Sequence, residues 1–384
     1  MIDAAQFVEA ARERGFDWYT GVPCSFLTPF INYVINDPSL TYVSSANEGD
    51  AIASAAGATI GGKRAVVMLQ NSGLGNAVSP LTSLANVFRI PLLVICTHRG
   101  APGLNDEPQH ALMGAITDRL FDTMEIPWEY FPDHPDDIDA TLERAEAFMA
   151  SESRPYALLM KKGAVAPHAL QARPIPAPQL DCRRRVFYAE PPSRRSRAEV
   201  LRQLVQLVNE QAAVLIATTG FTGRELYALG DNSNQLYMVG SMGCASSLSL
   251  GLAMARPDLS VTVIDGDGAA LMRMGNFATL GAYGAGNLTH LVLDNEAHDS
   301  TGAQATVSSN VAFADIAAAC GYGCAYAGDE PTLLNALFAC ESTDRPRFGH
   351  LKITTGTIKH LPRPKIAPAD ILTRLKNHIG SSAQ

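Results

Sequence analysis

The chain has 384 residues, of which 47% are hydrophobic and 18% are charged, and its formal net charge is −8. This length allows two ordinary domains, and the composition is typical of a globular protein rather than a disordered one. The acidic balance, without long basic runs, argues against nucleic acid as a partner. Residues 1–5 do not resemble the start of a signal peptide, and no apolar run is long enough to cross a bilayer, so we expect a cytoplasmic protein without a membrane partner.

The seven cysteines are scattered along the chain, and their number is odd. This usage fits reduced thiols better than a framework of disulfides. Cys320 and Cys324 lie four residues apart, but a metal site would need further ligands at matching spacing, and none is evident. We therefore interpret these two cysteines as core residues.

In the first half of the chain, short apolar runs alternate with longer amphipathic stretches. The runs at 65–69, 92–95 and 156–160 predict buried strands, and the alanine-rich stretch 50–60 predicts a helix. Continuous apolar strands separated by helices are typical of parallel sheets that are covered on both faces. Residues 1–166 are therefore predicted to form an α/β domain with a doubly wound parallel sheet.

The chain then changes in composition and returns to the same α/β pattern. Residues 167–195 are rich in proline and arginine and predict an extended linker. Ser196 and Glu199 form a capping box that predicts the start of a helix, and residues 196–384 predict a second doubly wound α/β domain. Its predicted strands are at 214–217, 237–239, 261–264 and 290–293.

The strand at 261–264 runs into a Gly266-Asp267-Gly268 turn, which is followed by the helix-like stretch 269–280. Such glycines let backbone N–H groups approach an anion, and the start of a helix favours negative charge. The carboxylate of Asp267 would repel an anion there unless a divalent cation lay between them. Asn295 follows the next strand, 295 − 267 = 28 positions later, so the two strand ends are expected to be neighbours at the edge where ligands bind such sheets.

This strand, turn, helix, strand and asparagine resemble the cofactor-binding motif of the thiamine diphosphate-dependent enzyme superfamily. The resemblance implies that Asp267, the Asn295 side chain and the Ala297 carbonyl hold Mg²⁺ on the diphosphate. The superfamily usually has a second asparagine where this chain has Asp294. The alternative interpretation is a structural turn in which Asp267 caps a helix.

Two further segments match the superfamily. Glu48, between a strand and a small-residue helix, resembles the glutamate that activates the cofactor's pyrimidine ring, although alone it would be interpreted as a helix N-terminal charge. Met242 resembles the bulky residue under the bent cofactor, or else it is a core residue. Further residues that the resemblance implies in cofactor binding are Asn71, Ser72, Gly73, Gly220, Gly240, Ser241, Gly266, Gly268 and Ala269.

Within the superfamily, the segments 21–27, 44–50 and 299–302 are similar to the phosphonopyruvate decarboxylase family, whose relatives include the sulfopyruvate decarboxylases. This resemblance implies a domain that binds the pyrimidine followed by a domain that binds the diphosphate. It also implies decarboxylation of 3-phosphonopyruvate to phosphonoacetaldehyde in the biosynthesis of phosphonate natural products such as antibiotics. The active sites are expected at the interface of a homodimer or larger homo-oligomer.

An acidic substrate would need hydrogen-bond donors that favour an anion. Candidates from the first half are Ser25, Arg99 and His110, and Thr301 and Gln304 could add neutral donors. Each of these could instead be an ordinary loop residue. His298, three residues after Asn295, is a candidate catalytic proton donor or a residue that merely lines the loop.

Three other functions are alternatives to this one. A sulfopyruvate decarboxylase, or one for another small acidic 2-oxo acid, would share every motif. A nicotinamide-dependent dehydrogenase is disfavoured because Val78 replaces the third glycine of the dinucleotide fingerprint that begins at Gly73. A catalytically silent partner subunit is disfavoured because Glu48, Asp267 and Asn295 are all present in one chain.

Overall fold

A computed structural model of the protein describes residues 1–171, 181–208, 211–340 and 344–381. The chain forms two compact units, Met1–Pro176 and Ala177–Gln384. Both units are α/β with parallel sheets, so the predicted fold class is confirmed. The boundaries of the predicted domains and linker stay predictions, and residues 172–180 of that linker lie outside the described residues.

The first unit is built on a parallel sheet of six strands in the order β2-β1-β3-β4-β6-β5. Its strands are β1 Phe16–Gly21, β2 Thr41–Ser44, β3 Arg64–Gln70, β4 Leu93–Thr97, β5 Trp128–Tyr130 and β6 Tyr156–Met160. Its helices are α1 Ala4–Glu13, α2 Thr28–Asn36, α3 Glu48–Ile60, α4 Leu74–Pro80, α5 Asn86–Phe88, α6 Ala111–Thr123 and α7 Ile138–Glu152.

The local sequence explains how α3 begins and where it packs. The side chain of Asn47 accepts hydrogen bonds from the backbone N–H groups of Gly49 and Asp50, so the helix begins at Glu48, two residues before its predicted start. Alanines and glycines make up much of α3, and nearly every residue of the helix is buried. This burial lets α3 pack closely on β1 and β3 and holds Glu48 inside the unit.

The second unit is built on a parallel sheet of seven strands in the order β7-β14-β15-β11-β10-β8-β9. The strands of this unit are β7 Arg183–Phe187, β8 Ala213–Ala217, β9 Gln235–Tyr237, β10 Ser260–Gly266, β11 Leu288–Asp294, β12 Ala297–His298, β13 Gln304–Ala305, β14 Cys324–Gly328 and β15 Arg347–Lys352. Of these, β12 and β13 form a separate two-stranded hairpin. Its helices are α8 Arg197–Leu207, α9 Phe221–Leu229, α10 Ala245–Ala255, α11 Asp267–Met272, α12 Asn276–Tyr283, α13 Phe313–Ala319, α14 Thr332–Phe338 and α15 Pro368–His378.

Three predicted elements of the second half differ from the structure. The stretch 269–280 is two helices rather than one, because the chain turns at 273–275 and Gly275 precedes α12. The strand predicted at 237–239 ends at Tyr237, and Val239 is exposed rather than buried. Part of the predicted linker is the strand β7, whose exposed arginines suit the edge of a sheet as well as a linker.

The order of strands creates one topological switch point in each sheet. In the first unit β2 and β3 lie on opposite sides of β1, and in the second unit β9 and β10 lie on opposite sides of β8. Ligands of open α/β sheets bind in the crevice beyond the carboxyl ends of strands at such points. In the described parts of the chain, no helix is long and apolar enough to span a membrane.

Candidate active site

The carboxyl ends of β10 and β11 bring together the residues that the sequence singled out in the second unit. The two strands pair in parallel, with Gly266 opposite Leu293, so that Asp267 and Asn295 follow neighbouring strand ends. The predicted juxtaposition of these two ends is therefore confirmed. Both side chains are almost completely buried.

Asp267 occupies the first position of α11 and is held by a neighbouring loop. The hydroxyl of Thr306 donates a hydrogen bond to its carboxylate. Burial raises the pKa of Asp267 above its ordinary value, and the hydrogen bond from Thr306 partly offsets this effect. The Asp267 carboxylate and the Asn295 amide are oxygen donors of the kind that Mg²⁺ prefers in proteins.

The junction between β10 and α11 has space for a side chain at Gly266 but none at Gly268. A Cβ atom at Gly268 would lie 2.6 Å from Cε1 of His298 and 3.0 Å from Cε of Met242, so both side chains lie directly over this glycine. A Cβ atom at Gly266 would have no neighbour within 4 Å. The backbone at Gly266 therefore borders open space in which a ligand could approach it.

A cleft lies above this turn and is lined largely by the predicted cofactor residues. Its walls come from the segment after β8, the turn after β10 and the segment after β11, and its predicted members are Gly220, Met242, Gly266, Asp267, Gly268, Ala269, Asn295, Ala297 and His298. Gly220 has a φ of 92°, a conformation that favours glycine, directly before α9. Gly240 and Ser241 do not line the cleft, although Ser241 is buried beside Met242 and has a φ of 49°.

Asp294, the departure from the superfamily pattern, is the centre of a buried charged cluster. Its Oδ2 lies 2.8 Å from both His350 Nε2 and Lys352 Nζ, and its Oδ1 accepts a hydrogen bond of 2.8 Å from the Ser308 hydroxyl. Burial opposes ionisation of the carboxyl, but the hydrogen bonds from His350 and Lys352 hold the pKa of Asp294 well below its ordinary value. A charged Asp294 fixes the strand end beside Asn295.

Sequence reasoning missed a second buried cluster at the cleft. Arg197 and Asp299 both line it, and their side chains are only 6% exposed. The guanidinium of Arg197 contacts Asp299 at 2.9 Å and Glu225 at 3.2 Å. The capping box before α8 predicted the helix start but gave no signal that Arg197 points inward.

The first unit places Glu48 against the segment after β3. Its Oε2 accepts a hydrogen bond of 2.8 Å from the Asn76 side chain, and a Cβ atom at Gly73 would lie 1.9 Å from its Oε1. Only a glycine at position 73 therefore allows this approach. The segment after β3 is a 3₁₀ turn, Asn71–Gly73, that leads into α4.

The two other predicted residues of this segment differ in accessibility. Asn71 is fully buried, and its amide bonds the backbone of Arg99 and the hydroxyl of Thr117, so its side chain serves the unit internally. Ser72 is exposed and accepts a hydrogen bond from Gln70.

The structure joins two of the predicted substrate residues. Arg99 Nη1 donates a hydrogen bond of 2.9 Å to the Ser25 hydroxyl, and the rest of the guanidinium forms a bidentate pair with Asp106. This pairing holds the pKa of Asp106 well below its ordinary value and neutralises the charge of Arg99. His110 lies at the start of α6, is 6% exposed, and its Nδ1 has no hydrogen-bond partner among the described residues.

The remaining predicted substrate residues lie on the exposed part of the β12–β13 hairpin in the second unit. The hydroxyl of Thr301, in the turn between the two strands, donates a hydrogen bond of 2.9 Å to Oε1 of Gln304, the first residue of β13. The structure thus pairs Thr301 with Gln304 and Ser25 with Arg99, in separate units. Within the described parts of the chain, no group of three or more His, Cys, Asp or Glu side chains is arranged to bind a metal ion.

We predict that Asp294→Asn lowers the free energy of unfolding by about 3 kcal/mol at pH 7, because it removes the carboxylate that buried His350 and partly buried Lys352 share. Lys352 keeps its second partner, Glu296, at 2.9 Å. The matched control is Asp258→Asn, which breaks an ion pair to Arg256 at a side chain that is 58% exposed and should cost less than about 1 kcal/mol. Urea unfolding of the cofactor-free proteins measures both values.

The difference in free energy of unfolding between wild type and Asp294→Asn should depend on pH. Because the pKa of Asp294 is lower in the folded protein, its contribution is fully present above the unfolded value of about 3.9 and is lost as the pH falls further. The gap between wild type and Asp294→Asn should therefore narrow below about pH 4. A gap that is as small as that of the control at pH 7 would contradict this prediction.

Comparison with known proteins identifies the two halves of the chain. Residues 3–126 match the family model of the N-terminal TPP-binding domain of thiamine pyrophosphate enzymes, and residues 225–348 match the model of the C-terminal TPP-binding domain. The benzoylformate decarboxylase of Polynucleobacter necessarius is similar in fold, with a TM-score of 0.73 and 13% identity over 93% of this chain and 100% of that one. This similarity shows that the two proteins share a fold.

Similarity in sequence is closer to two kinds of decarboxylase. The phosphonopyruvate decarboxylase of Streptomyces viridochromogenes is 44% identical over 98% of this chain and 94% of its own. The alpha subunit of sulfopyruvate decarboxylase from Methanococcus maripaludis is 33% identical, over 40% of this chain and 90% of its own. Because the first similarity extends along both units, the chain belongs to the phosphonopyruvate decarboxylase family of thiamine pyrophosphate enzymes and is a thiamine diphosphate-dependent decarboxylase.

Proposed function

We propose that this enzyme decarboxylates 3-phosphonopyruvate to phosphonoacetaldehyde and CO₂ and that it needs Mg²⁺ to bind thiamine diphosphate. The observation that carries the proposal is the burial of Asp267 and Asn295 at adjoining strand ends, in a chain that is similar along both units to phosphonopyruvate decarboxylases. The product is that of a step in the biosynthesis of phosphonate natural products, including antibiotics.

The residues around the cleft fit the diphosphate and its metal. The open space over Gly266 and the left-handed Gly220 leave room for backbone groups to approach phosphate oxygens. Asp267, the Asn295 side chain and the Ala297 carbonyl would supply oxygen ligands, with phosphate oxygens and water completing the shell. Gly268 and Ala269 lie in the first turn of α11, whose N-terminus would face the anion, and Met242 would contact the cofactor from the cleft wall.

Glu48 is a carboxyl group of the first unit that could exchange a proton with the cofactor. When bound, thiamine diphosphate supplies the electron sink for the departing CO₂. The buried carboxyl of Glu48, held by Asn76 and pressed against Gly73, would exchange a proton with the pyrimidine N1′ atom. Gly73, with the backbone of Asn71 and Ser72, would border the pyrimidine ring.

The acidic end of the substrate requires donors, and the first unit offers a pair. Arg99 and Ser25 already share a hydrogen bond, and the Arg99 guanidinium keeps further N–H groups beyond those that Asp106 occupies. The unpartnered Nδ1 of buried His110 could accept or donate one more bond. Thr301 and Gln304 would add neutral contacts, and His298, over Gly268, would deliver the proton that completes the aldehyde.

Sulfopyruvate is the second candidate substrate. The observation that favours it is the similarity of this chain to sulfopyruvate decarboxylase subunits, each of which covers less than half of the chain. A sulfonate and a phosphonate are both tetrahedral anions, so the same donors would serve either. The longer match to the phosphonopyruvate enzymes is the reason for preferring phosphonopyruvate.

We predict that the purified enzyme releases CO₂ from phosphonopyruvate with a kcat/KM at least about 100-fold above those for sulfopyruvate and pyruvate, a difference of about 2.7 kcal/mol. Activity should disappear after EDTA treatment and dialysis and return only when both Mg²⁺ and thiamine diphosphate are restored. A preference for sulfopyruvate would select the second candidate, and full activity without metal would remove Mg²⁺ from the proposal.

We predict that Glu48→Gln lowers CO₂ release by about 10²- to 10⁴-fold, because the amide cannot exchange a proton with the pyrimidine. Binding of thiamine diphosphate, measured by calorimetry, should stay within about threefold of wild type. The matched control is Glu125→Gln, whose side chain is 82% exposed in the same unit and whose activity should be unchanged. Near-normal turnover of Glu48→Gln would exclude this role.

We propose that the enzyme is at least a homodimer, with each active site formed at the subunit interface as in its superfamily. Light scattering at micromolar concentration should give twice the chain mass of 40.9 kDa or a higher multiple. A mass equal to that of one chain, with activity retained at the same concentration, would contradict this proposal.

A further inference from the structure

A chain of hydrogen bonds connects Asn295 to Asp299 and Arg197 in the wall of the cleft. Asn295 Nδ2 donates to Asp299 Oδ2 at 2.6 Å. The same oxygen accepts a bond of 2.9 Å from Arg197 Nη2 and one of 3.0 Å from the backbone N–H of Gly356. One carboxylate oxygen thus ties together α8, the segment after β11 and the segment after β15.

The guanidinium of Arg197 is held on its other side as well. Its Nη1 donates to Glu225 Oε1 at 3.2 Å and to the Gly356 carbonyl at 3.3 Å. Glu225 is 1% exposed and also accepts a hydrogen bond of 2.5 Å from the Thr357 hydroxyl. These contacts fix Arg197 in one place, which is unusual for so long a side chain and costs conformational entropy.

Charge balance shows that Arg197 is not arranged to bind the diphosphate directly. One guanidinium faces two carboxylates, those of Asp299 and Glu225, so the cluster carries a formal charge of −1. A cluster with this balance would repel phosphate oxygens rather than attract them. Buried ion clusters of this kind are also weak sources of stability, because desolvation offsets much of their attraction. A role in orientation explains the arrangement better than either alternative.

We propose that Arg197 is a positioning residue for the metal site, and that it acts through Asp299 on the amide of Asn295. This inference rests on the proposed function, in which Asn295 is a ligand of Mg²⁺. An asparagine amide can present either its oxygen or its NH₂ group to a cation, and only the oxygen can coordinate it. The carboxylate of Asp299 takes the NH₂ group of Asn295 and leaves the oxygen for the metal.

The backbone supports the same orientation of the amide. Ala297 N–H points toward Asn295 Oδ1 at 3.4 Å, a long contact that leaves most of the acceptor capacity of this oxygen unused. Groups that hydrogen-bond a metal ligand typically change metal affinity by about 10- to 100-fold when they are removed. Loss of either Arg197 or Asp299 should therefore weaken Mg²⁺ binding without removing a ligand.

The test is a calorimetric titration of Mg²⁺ into protein with saturating thiamine diphosphate, for wild type, Arg197→Met, Asp299→Asn and the double variant. Each single variant should bind Mg²⁺ about 10- to 100-fold more weakly than wild type. Because both residues act on the same amide, their effects should not add. The double variant should bind Mg²⁺ at most about threefold more weakly than whichever single variant binds it more weakly. Arg197→Lys, which retains one charged donor for Asp299, should recover part of the affinity.

Glu225→Gln is the matched control, because it removes a partner of the same guanidinium that does not lead to Asn295. It should lower the melting temperature while changing Mg²⁺ affinity by less than about threefold. If Arg197→Met and Asp299→Asn lower only the melting temperature, in the manner of Glu225→Gln, the positioning role is overturned. If wild type itself binds no Mg²⁺ with thiamine diphosphate, the proposed function fails first and this inference fails with it.

Discussion

The second unit depends on placing negative charge at the buried carboxyl ends of two neighbouring strands. Asp267 follows β10 and Asp294 ends β11, and both are almost completely buried. Such burial is costly unless each charge finds a partner. Asp294 finds Lys352 and His350 within the chain, whereas the ion that Asp267 would face is a metal ion on the cofactor.

The different partners of Asp267 and Asp294 explain how the surrounding structure is arranged. The segments after β8, β10 and β11 converge at the switch point of the sheet, and glycines at 220, 266 and 268 keep the backbone accessible or allow close packing there. Around that crevice, Asp299, which is held by Arg197, accepts a hydrogen bond from the amide of Asn295. Asp294 fixes the end of β11 directly before Asn295. The first unit repeats this logic, since Gly73 lets the buried carboxyl of Glu48 approach the segment after β3.

The features of the fold and the site that could be predicted from sequence are those encoded by local patterns. The apolar runs predicted both parallel sheets, and the spacing of 28 positions between Asp267 and Asn295 predicted neighbouring strand ends. The missed parts depend on partners distant in sequence: Arg197 lies 102 residues from Asp299, and Asp294 lies 56 residues from His350. No local pattern separates such an arginine from a solvated one. The break between α11 and α12 and the exposure of Val239 were missed because they depend on tertiary packing rather than on periodicity.

The most direct measurement of the central claim is a crystal structure of the enzyme with thiamine diphosphate and Mn²⁺ in place of Mg²⁺, with the metal located by anomalous scattering. We predict one strong peak at the carboxyl ends of β10 and β11, at about 2.2 Å from a carboxylate oxygen of Asp267 and from Oδ1 of Asn295. A metal bound elsewhere would contradict this prediction. A diphosphate in the crevice whose metal contacts neither Asp267 nor Asn295 would contradict it as well.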